Sequence, residues 1–311
     1  MSHQGSKESS GSVTLASAVS PAMGMRGRAP SMRQLLTRHW SALAGAAVVL
    51  VVVVSAVAAP WIAPHDPAGQ NLRDQLAPPI WHAEGTTEHL LGTDQLGRDI
   101  LSRLIYGARI SLIVGFSAVA LAGTFGVILG LVSGYYGGVG DILIMRLVEL
   151  QLTFPFMLLA LLVLTVFGAG LTNIVIVLAI SGWAGYSRVV RAEVMSARER
   201  LYVEAARSLG MSDSRLLFRH ILPNVLSSVI VLATFSVAAM IVQESALSFL
   251  GLGIPPDQPS WGGMLADGRS FLSVAWWLGV FPGLAILCVV LAMNLVGDWL
   301  RDLMDPRIRH G

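Results

Sequence analysis

Lysine is almost missing from this chain: Lys7 is the only one in 311 residues. A phosphate-binding P-loop needs a lysine after its glycines, and a protein kinase needs one on a strand beside the nucleotide. Lys7 stands in a Ser- and Gly-rich stretch near residue 1, so neither site can be built. The chain by itself is not a nucleotide hydrolase of those kinds. Cysteine is nearly absent too. Cys288 is alone and lies inside an apolar block, which excludes a disulfide framework and a cysteine metal site. Charge is scarce: Asp, Glu, Lys and Arg make up 13% of the residues, against about 25% in soluble domains. The net charge of +2, with no basic stripe interleaved with aromatics, gives no footprint for nucleic acid.

What is abundant is apolar: 54% of the residues are hydrophobic, gathered in long blocks. Each block suits a span of about 20 residues across a hydrocarbon core of about 30 Å. The pattern predicts an all-α integral membrane protein with six transmembrane helices. They cover about Ser41–Ala59, Ile110–Gly134, Leu152–Phe167 (with an interfacial start at Asp141–Gln151), Leu171–Trp183, Val225–Gln243 and Val274–Val296. Residues 1–31, without periodicity, read as a disordered cytoplasmic tail. Residues 32–108 hold the first span and a proline-rich polar insert, 109–300 the main transmembrane domain, and 301–311 a cytoplasmic tail. Ala56-Val57-Ala58 looks like a signal-peptidase site, but the block before it exceeds the usual apolar region of about 7–15 residues, so a retained span is expected. Ile100, Leu101, Leu104 and Ile105 stand at helical spacing and predict a helix lying on the membrane surface over 97–110. Gly115, Gly123, Gly126 and Gly130 give the second span a small-residue face for close helix packing. A cytoplasmic N-terminus would place 16 of the 21 basic residues inside and five outside. The positive-inside rule therefore predicts both ends cytoplasmic, with the 60–108 insert and the 251–263 loop outside.

One polar stretch interrupts the apolar pattern at Tyr202–Asn224, YVEAARSLGMSDSRLLFRHILPN. Tyr202–Leu209 is a good helix former, and Gly210 suits the residue just past a helix end. Ser212 or Asp213 can cap a second short helix. Pro223 is expected to break the ladder before the fifth span. The simplest reading is an amphipathic loop on the bilayer surface with its arginines near anionic lipid. The combination of Glu204-Ala205-Ala206, Gly210 and Leu222-Pro223, just before the penultimate span, resembles the EAA loop of the membrane subunit of bacterial ABC importers. The family's isoleucine three residues before the proline is here His220, a departure that resembles the peptide-transporter branch. Residues 89–112, 244–269 and 294–309 are similar to corresponding segments of the C-type permease of dipeptide, oligopeptide and nickel importers. The resemblance spans about residues 32 to 310.

That resemblance implies the permease subunit of an ATP-driven, binding-protein-dependent importer in the bacterial inner membrane, carrying di- or oligopeptides, with nickel or another small solute as the alternative cargo. It implies a second homologous permease, two ATPase subunits, an extracytoplasmic substrate-binding protein and the lipid bilayer as partners. No cofactor is expected on this chain, ATP and magnesium belonging to the partner subunits, and no catalytic residue. Glu204, Ala205, Ala206, Gly210, Leu216, Leu217, Phe218 and Pro223 would form the ATPase-docking loop, Glu204 making a charged contact. Leu216, Leu217 and Phe218 would be buried in that contact or against the helix ends.

Other polar residues leave alternatives. Glu244 lies about 30 Å of helix beyond Pro223, which points to an outer gate or loop anchor, or else to a helix-end charge paired with a neighbour. Ser227, Ser228, Thr234 and Ser236 are candidates to face the pore, although hydroxyls also glue helices together. His65, His82 and His89 share the insert in no compact motif, so no metal site is expected. Trp276 and Trp277 read as an interfacial aromatic belt. A self-sufficient secondary transporter would need an ion site at the midplane, and no acid stands at mid-span. An intramembrane protease has no histidine in a span interior to use.

Overall fold

The computed structural model describes residues 40–304. The expected tail at 1–31 and residues 305–311 lie outside the described residues. Among those described, regular structure is helical, with one isolated bridge between Thr93 and Asp99. The helices that frame the sites are α1 (Trp40–Val57), α2 (Ile100–Tyr136), α3 (Gly138–Thr153), α4 (Phe156–Phe167), α5 (Leu171–Arg198), α6 (Leu201–Ser208), α7 (Asp213–Leu216), α8 (Leu222–Leu247), α9 (Trp261–Gly268) and α10 (Trp277–Met304). Five helical units are long and apolar enough to cross a membrane: α1, α2, α5, the run Asp213–Leu252 that contains α7 and α8, and α10. The bent pair α3–α4 makes a sixth if it is one span.

Three elements differ from the sequence expectation. The surface helix over 97–110 is not separate. It is the first part of α2, which runs unbroken for 37 residues, and Ile100, Ser102, Arg103, Gly107 and Ala108 are buried within the protein. Ile100, Arg103, Gly107 and Ala108 face neighbouring protein, while Leu101, Leu104 and Ile105 are half-buried. The third span is not straight. Its two parts meet at an 89° bend, because Pro155 follows α3 and takes the N-cap of α4 with extended backbone (φ −62°, ψ 122°), where its missing N–H costs nothing. Pro223 does not break the helix before the fifth span. Leu217–Ile221 widens into a π-helical turn and α8 continues through the proline. A widened turn is one way a helix absorbs a residue that cannot donate to its ladder.

α2 and α5 are the central pair, with α8 and α10 packed beside them and α1 lying against α10 and α2. The close approach of α2 to α5 requires glycine. A Cβ at Gly126 would fall 2.4 Å from the Trp183 carbonyl oxygen, and one at Gly130 would fall 2.7 Å from that of Ser187. Without a hydrophobic drive between helices in lipid, such backbone proximity is what packing can gain. The main apolar core runs through α2, α5, α8 and α10, and a second, smaller core sits where α2 and α5 end and α6 begins.

Candidate functional site

The smaller core supports the polar stretch singled out in the sequence. α6 and α7 form a helix–turn–helix knob on the end of α5. Gly210 (φ +80°) occupies the left-handed position between them. Its N–H donates to the Arg207 carbonyl at 2.9 Å, and the Met211 N–H donates to the Ala206 carbonyl at 3.1 Å. This is the doubled closure of a Schellman turn. Ser212 stands at the N-cap of α7 without a side-chain capping bond.

The knob's inward face is apolar. Val203, Leu216 and Ile221 are fully buried and Leu217 nearly so, against Leu131, Tyr135, Val190 and Val194 of α2 and α5. Polar ties fix its orientation. The Tyr135 hydroxyl donates to Asp213 Oδ1 at 2.6 Å, and Asn224 Nδ2 donates to the Tyr202 hydroxyl at 3.1 Å. At the root, Arg191 on α5 grips Asp141 of α3 with Nε at 2.5 Å and Nη2 at 2.6 Å.

The outward face is open. Glu204, Ala205, Gly210 and Pro223 are exposed and Ala206 is half-buried. Leu201 and Leu209 are 83% and 88% exposed, and Phe218 is 61% exposed. The three apolar residues expected to act together therefore divide: Leu216 and Leu217 belong to the chain's own core, whereas Phe218 joins the outward face.

At the far end of α8, Glu244 is completely buried. It accepts hydrogen bonds from the hydroxyls of Ser248 (2.8 Å) and Ser260 (3.0 Å), with Ser245 at 3.4 Å. Ser260 also caps α9, accepting from Gly263 N at 3.0 Å. Glu244 thus joins the end of α8 to the start of α9 through hydroxyls; among the described residues it has no basic partner. The hydroxyls of the fifth span are mostly self-satisfied. Ser227, Thr234 and Ser236 donate to backbone carbonyls of their own helix. Ser228 crosses to Glu193 on α5 at 3.0 Å. Thr234 faces Gly297 of α10, where an added Cβ would meet its Oγ1 at 2.8 Å.

Sequence reasoning missed a buried ionic knot at this same end. Arg98 donates to Asp94 Oδ2 at 2.6 Å and to Asp267 Oδ2 at 3.1 Å, and Arg103 reaches the same Asp267 oxygen at 3.4 Å. Arg98, Arg103 and Asp94 are all almost completely buried. The knot fastens the insert and the start of α2 to α9. Trp277 is buried and donates its indole N–H to the Thr93 carbonyl at 3.1 Å, so it staples the same joint; Trp276 beside it stays exposed. The dense arginines and aspartates of 94–103 were the available signal, but their partner Asp267 is more than 160 residues away.

Residues 126–310 match the family model described as "Binding-protein-dependent transport system inner membrane component". The chain belongs to this family. Residues 31–79 match a second model, the N-terminal TM domain of oligopeptide transport permease C. Among similar proteins, the di/tripeptide transport system permease protein DppC of Pseudomonas aeruginosa (strain UCBPP-PA14) is 45% identical over 89% of this chain and 91% of its own length. The dipeptide transport system permease protein DppC of Escherichia coli (strain K12) is 46% identical over 88% and 91%. In fold, the chain is similar to a solved structure of the MetNI methionine ABC transporter in an inward-facing conformation. The match covers 66% of this chain and 98% of that one, at a TM-score of 0.56 and 15% identity. As a member of this family the chain is a multi-pass protein of the bacterial inner membrane and a transport subunit rather than an enzyme.

Proposed function

We propose that this permease forms half of the translocation pathway of an ATP-driven importer for di- or oligopeptides. A second homologous permease completes the pathway, two ATPase subunits bind and hydrolyse ATP-Mg, and an extracytoplasmic binding protein delivers the cargo. The peptide assignment rests on the relatives at 45% and 46% identity whose names carry it. Both termini and the α6–α7 knob face the cytoplasm in this reading, in keeping with the positive-inside excess around the knob.

The observation that carries the coupling role is the knob's division of labour. Its inner face is tied to α2 and α5, while Leu201, Leu209 and Phe218, like Glu204, are exposed among the described residues. An ATPase cleft closing on that face would move a rigid body already fixed to the central helix pair. Each ATPase state would then favour one pore state, as two-state coupling requires. The chain's lack of a usable lysine fits a division in which hydrolysis belongs elsewhere.

Pull-down of tagged protein from native membranes in mild detergent tests the assembly. Recovery of a second multi-span permease and P-loop ATPases is expected. A homo-oligomer with no ATPase would refute it. Uptake of labelled dipeptide should stop on ATP depletion and survive collapse of ion gradients; the opposite dependence would favour a secondary transporter.

A further inference from the structure

The insert brings together three metal-ligating side chains that sequence spacing keeps apart. His65, His89 and Asp99 each present a ligand atom, all within 4.8 Å of one another. His82, the third histidine of the insert, is exposed and outside this group. Asp99 is fixed from behind: its Oδ2 accepts from Ser102 N at 2.8 Å and from Ser102 Oγ at 2.7 Å, which caps α2. Its Oδ1 faces His89 Nδ1 at 3.0 Å. His65 is held to the same serine, its backbone N donating to Ser102 Oγ at 3.0 Å.

A plain hydrogen-bonded His–Asp pair accounts for His89 but not for His65. The Nδ1 of His65 is buried without a hydrogen-bond partner and stands 3.8 Å from Asp99 Oδ2. Its ring lies 4.8 Å from that of His89. Leaving a buried polar atom unpaired costs about 1–3 kcal/mol. Asp99 Oδ2, the oxygen beside His65, already accepts from Ser102 N and Oγ, so it leaves His65 Nδ1 without a hydrogen bond. A cation between the two imidazoles can satisfy that nitrogen. A cavity of about 220 Å³ adjoins the three residues, lined also by Asp66, Asn71 and Glu88, with room for water to complete a coordination shell.

We propose that His65 Nδ1, His89 Nδ1 and Asp99 Oδ1 form a site for a divalent first-row transition ion of the zinc type, which clips the insert onto the start of α2. Two imidazoles with one carboxylate suit zinc better than calcium or magnesium, which prefer all-oxygen shells. Zinc bonds of about 2.0–2.2 Å set ligand atoms roughly 3.4 Å apart in a tetrahedron. His89 Nδ1 stands 3.0 Å from Asp99 Oδ1 and His65 Nδ1 3.8 Å from Oδ2 of the same carboxylate, so both imidazoles lie close to that separation from the carboxylate group. Closing the gap between the histidines falls to His65, whose side chain is one-third exposed and free to turn. Binding displaces a proton from any imidazole that carries one on Nδ1. The ion is structural, joining residues 65, 89 and 99 as a crosslink.

The test uses the purified full-length chain with a tag that contains no histidine, stripped with chelator and titrated with Zn2+ alone. One zinc per chain is expected. His65→Gln should weaken binding by more than the roughly 10–100-fold typical of losing an outer-shell partner. His65→Cys, which supplies another zinc ligand, should retain it, and His82→Gln should bind like the native chain. Cu2+ used as a spectroscopic probe should show coupling to two imidazole nitrogens in the native chain and to one in His65→Gln. Absence of stoichiometric zinc in the native chain would overturn the proposal. So would undiminished binding in His65→Gln, or equal loss in His82→Gln.

Discussion

The two ends of the α2–α5 pair solve opposite problems. At the insert end, charge is buried and satisfied by the chain itself: Arg98, Arg103, Asp94 and Asp267 form a closed knot, and Glu244 is enclosed by serine hydroxyls. At the knob end, large apolar side chains are left uncovered: Leu201, Leu209 and Phe218 are exposed. The first arrangement makes a stiff cap whose parts cannot move separately without stranding a charge. The second leaves an apolar surface open, which the proposed ATPase contact would cover. Stability and coupling should therefore be separable by mutation, one sensitive at each end.

Four substitutions can break or sharpen that contrast, taken in order of their effect on stability. Asp94→Ala at the insert end leaves the buried Arg98 and Arg103 with Asp267 as their one shared carboxylate and should destabilise by roughly 3–5 kcal/mol, the usual cost of breaking a buried ion pair. Thermal unfolding in detergent would show it, and an unchanged melting temperature would mean that water replaces the lost partner. Gly126→Leu between the two ends forces α2 away from α5, and overpacking of this kind costs about 1–3 kcal/mol. If its melting temperature matched the native chain, the close approach of Gly126 to the Trp183 backbone would not be needed for packing. At the knob, Gly210→Ala places a Cβ in left-handed backbone and should cost about 1–2 kcal/mol. The loss should be larger in uptake than in stability, because the turn sets the knob's angle. Glu204→Lys should change stability by less than about 0.5 kcal/mol, as exposed substitutions do. It should nevertheless abolish uptake and co-purification of the ATPase. Normal uptake in Glu204→Lys would remove the knob's outer face from the coupling mechanism.

Much of this was legible in the residues. Long apolar blocks can do little in water except aggregate, so their length and order announced the spans. The Glu-Ala-Ala, Gly210 and Leu-Pro pattern announced the knob, because local propensity and a left-handed glycine are properties of neighbouring residues. Errors arose where a non-local partner decided the outcome. Residues 97–110 have the spacing of a surface helix, yet they continue into the second span, and the packing of α9 and the insert buries Ile100, Arg103 and Gly107. The expectation for Leu216, Leu217 and Phe218 left burial in a contact or against the helix ends open, and the fold puts the first two against α2 and α5 while Phe218 stays exposed. Pro223 signals a break, but the π-helical turn before it lets the helix continue.

The sequence alone determined that the chain lives in a membrane, lacks the lysine for phosphate chemistry and carries a helix–turn–helix stretch closed by Gly210, since composition, periodicity and short-range turn chemistry need no distant contact. Only the tertiary structure decided which charges are buried, which apolar residues remain exposed, and that His65, His89 and Asp99 meet. These depend on where residues tens or hundreds of positions apart are brought together, and pairing across such distances leaves no periodic trace in the chain.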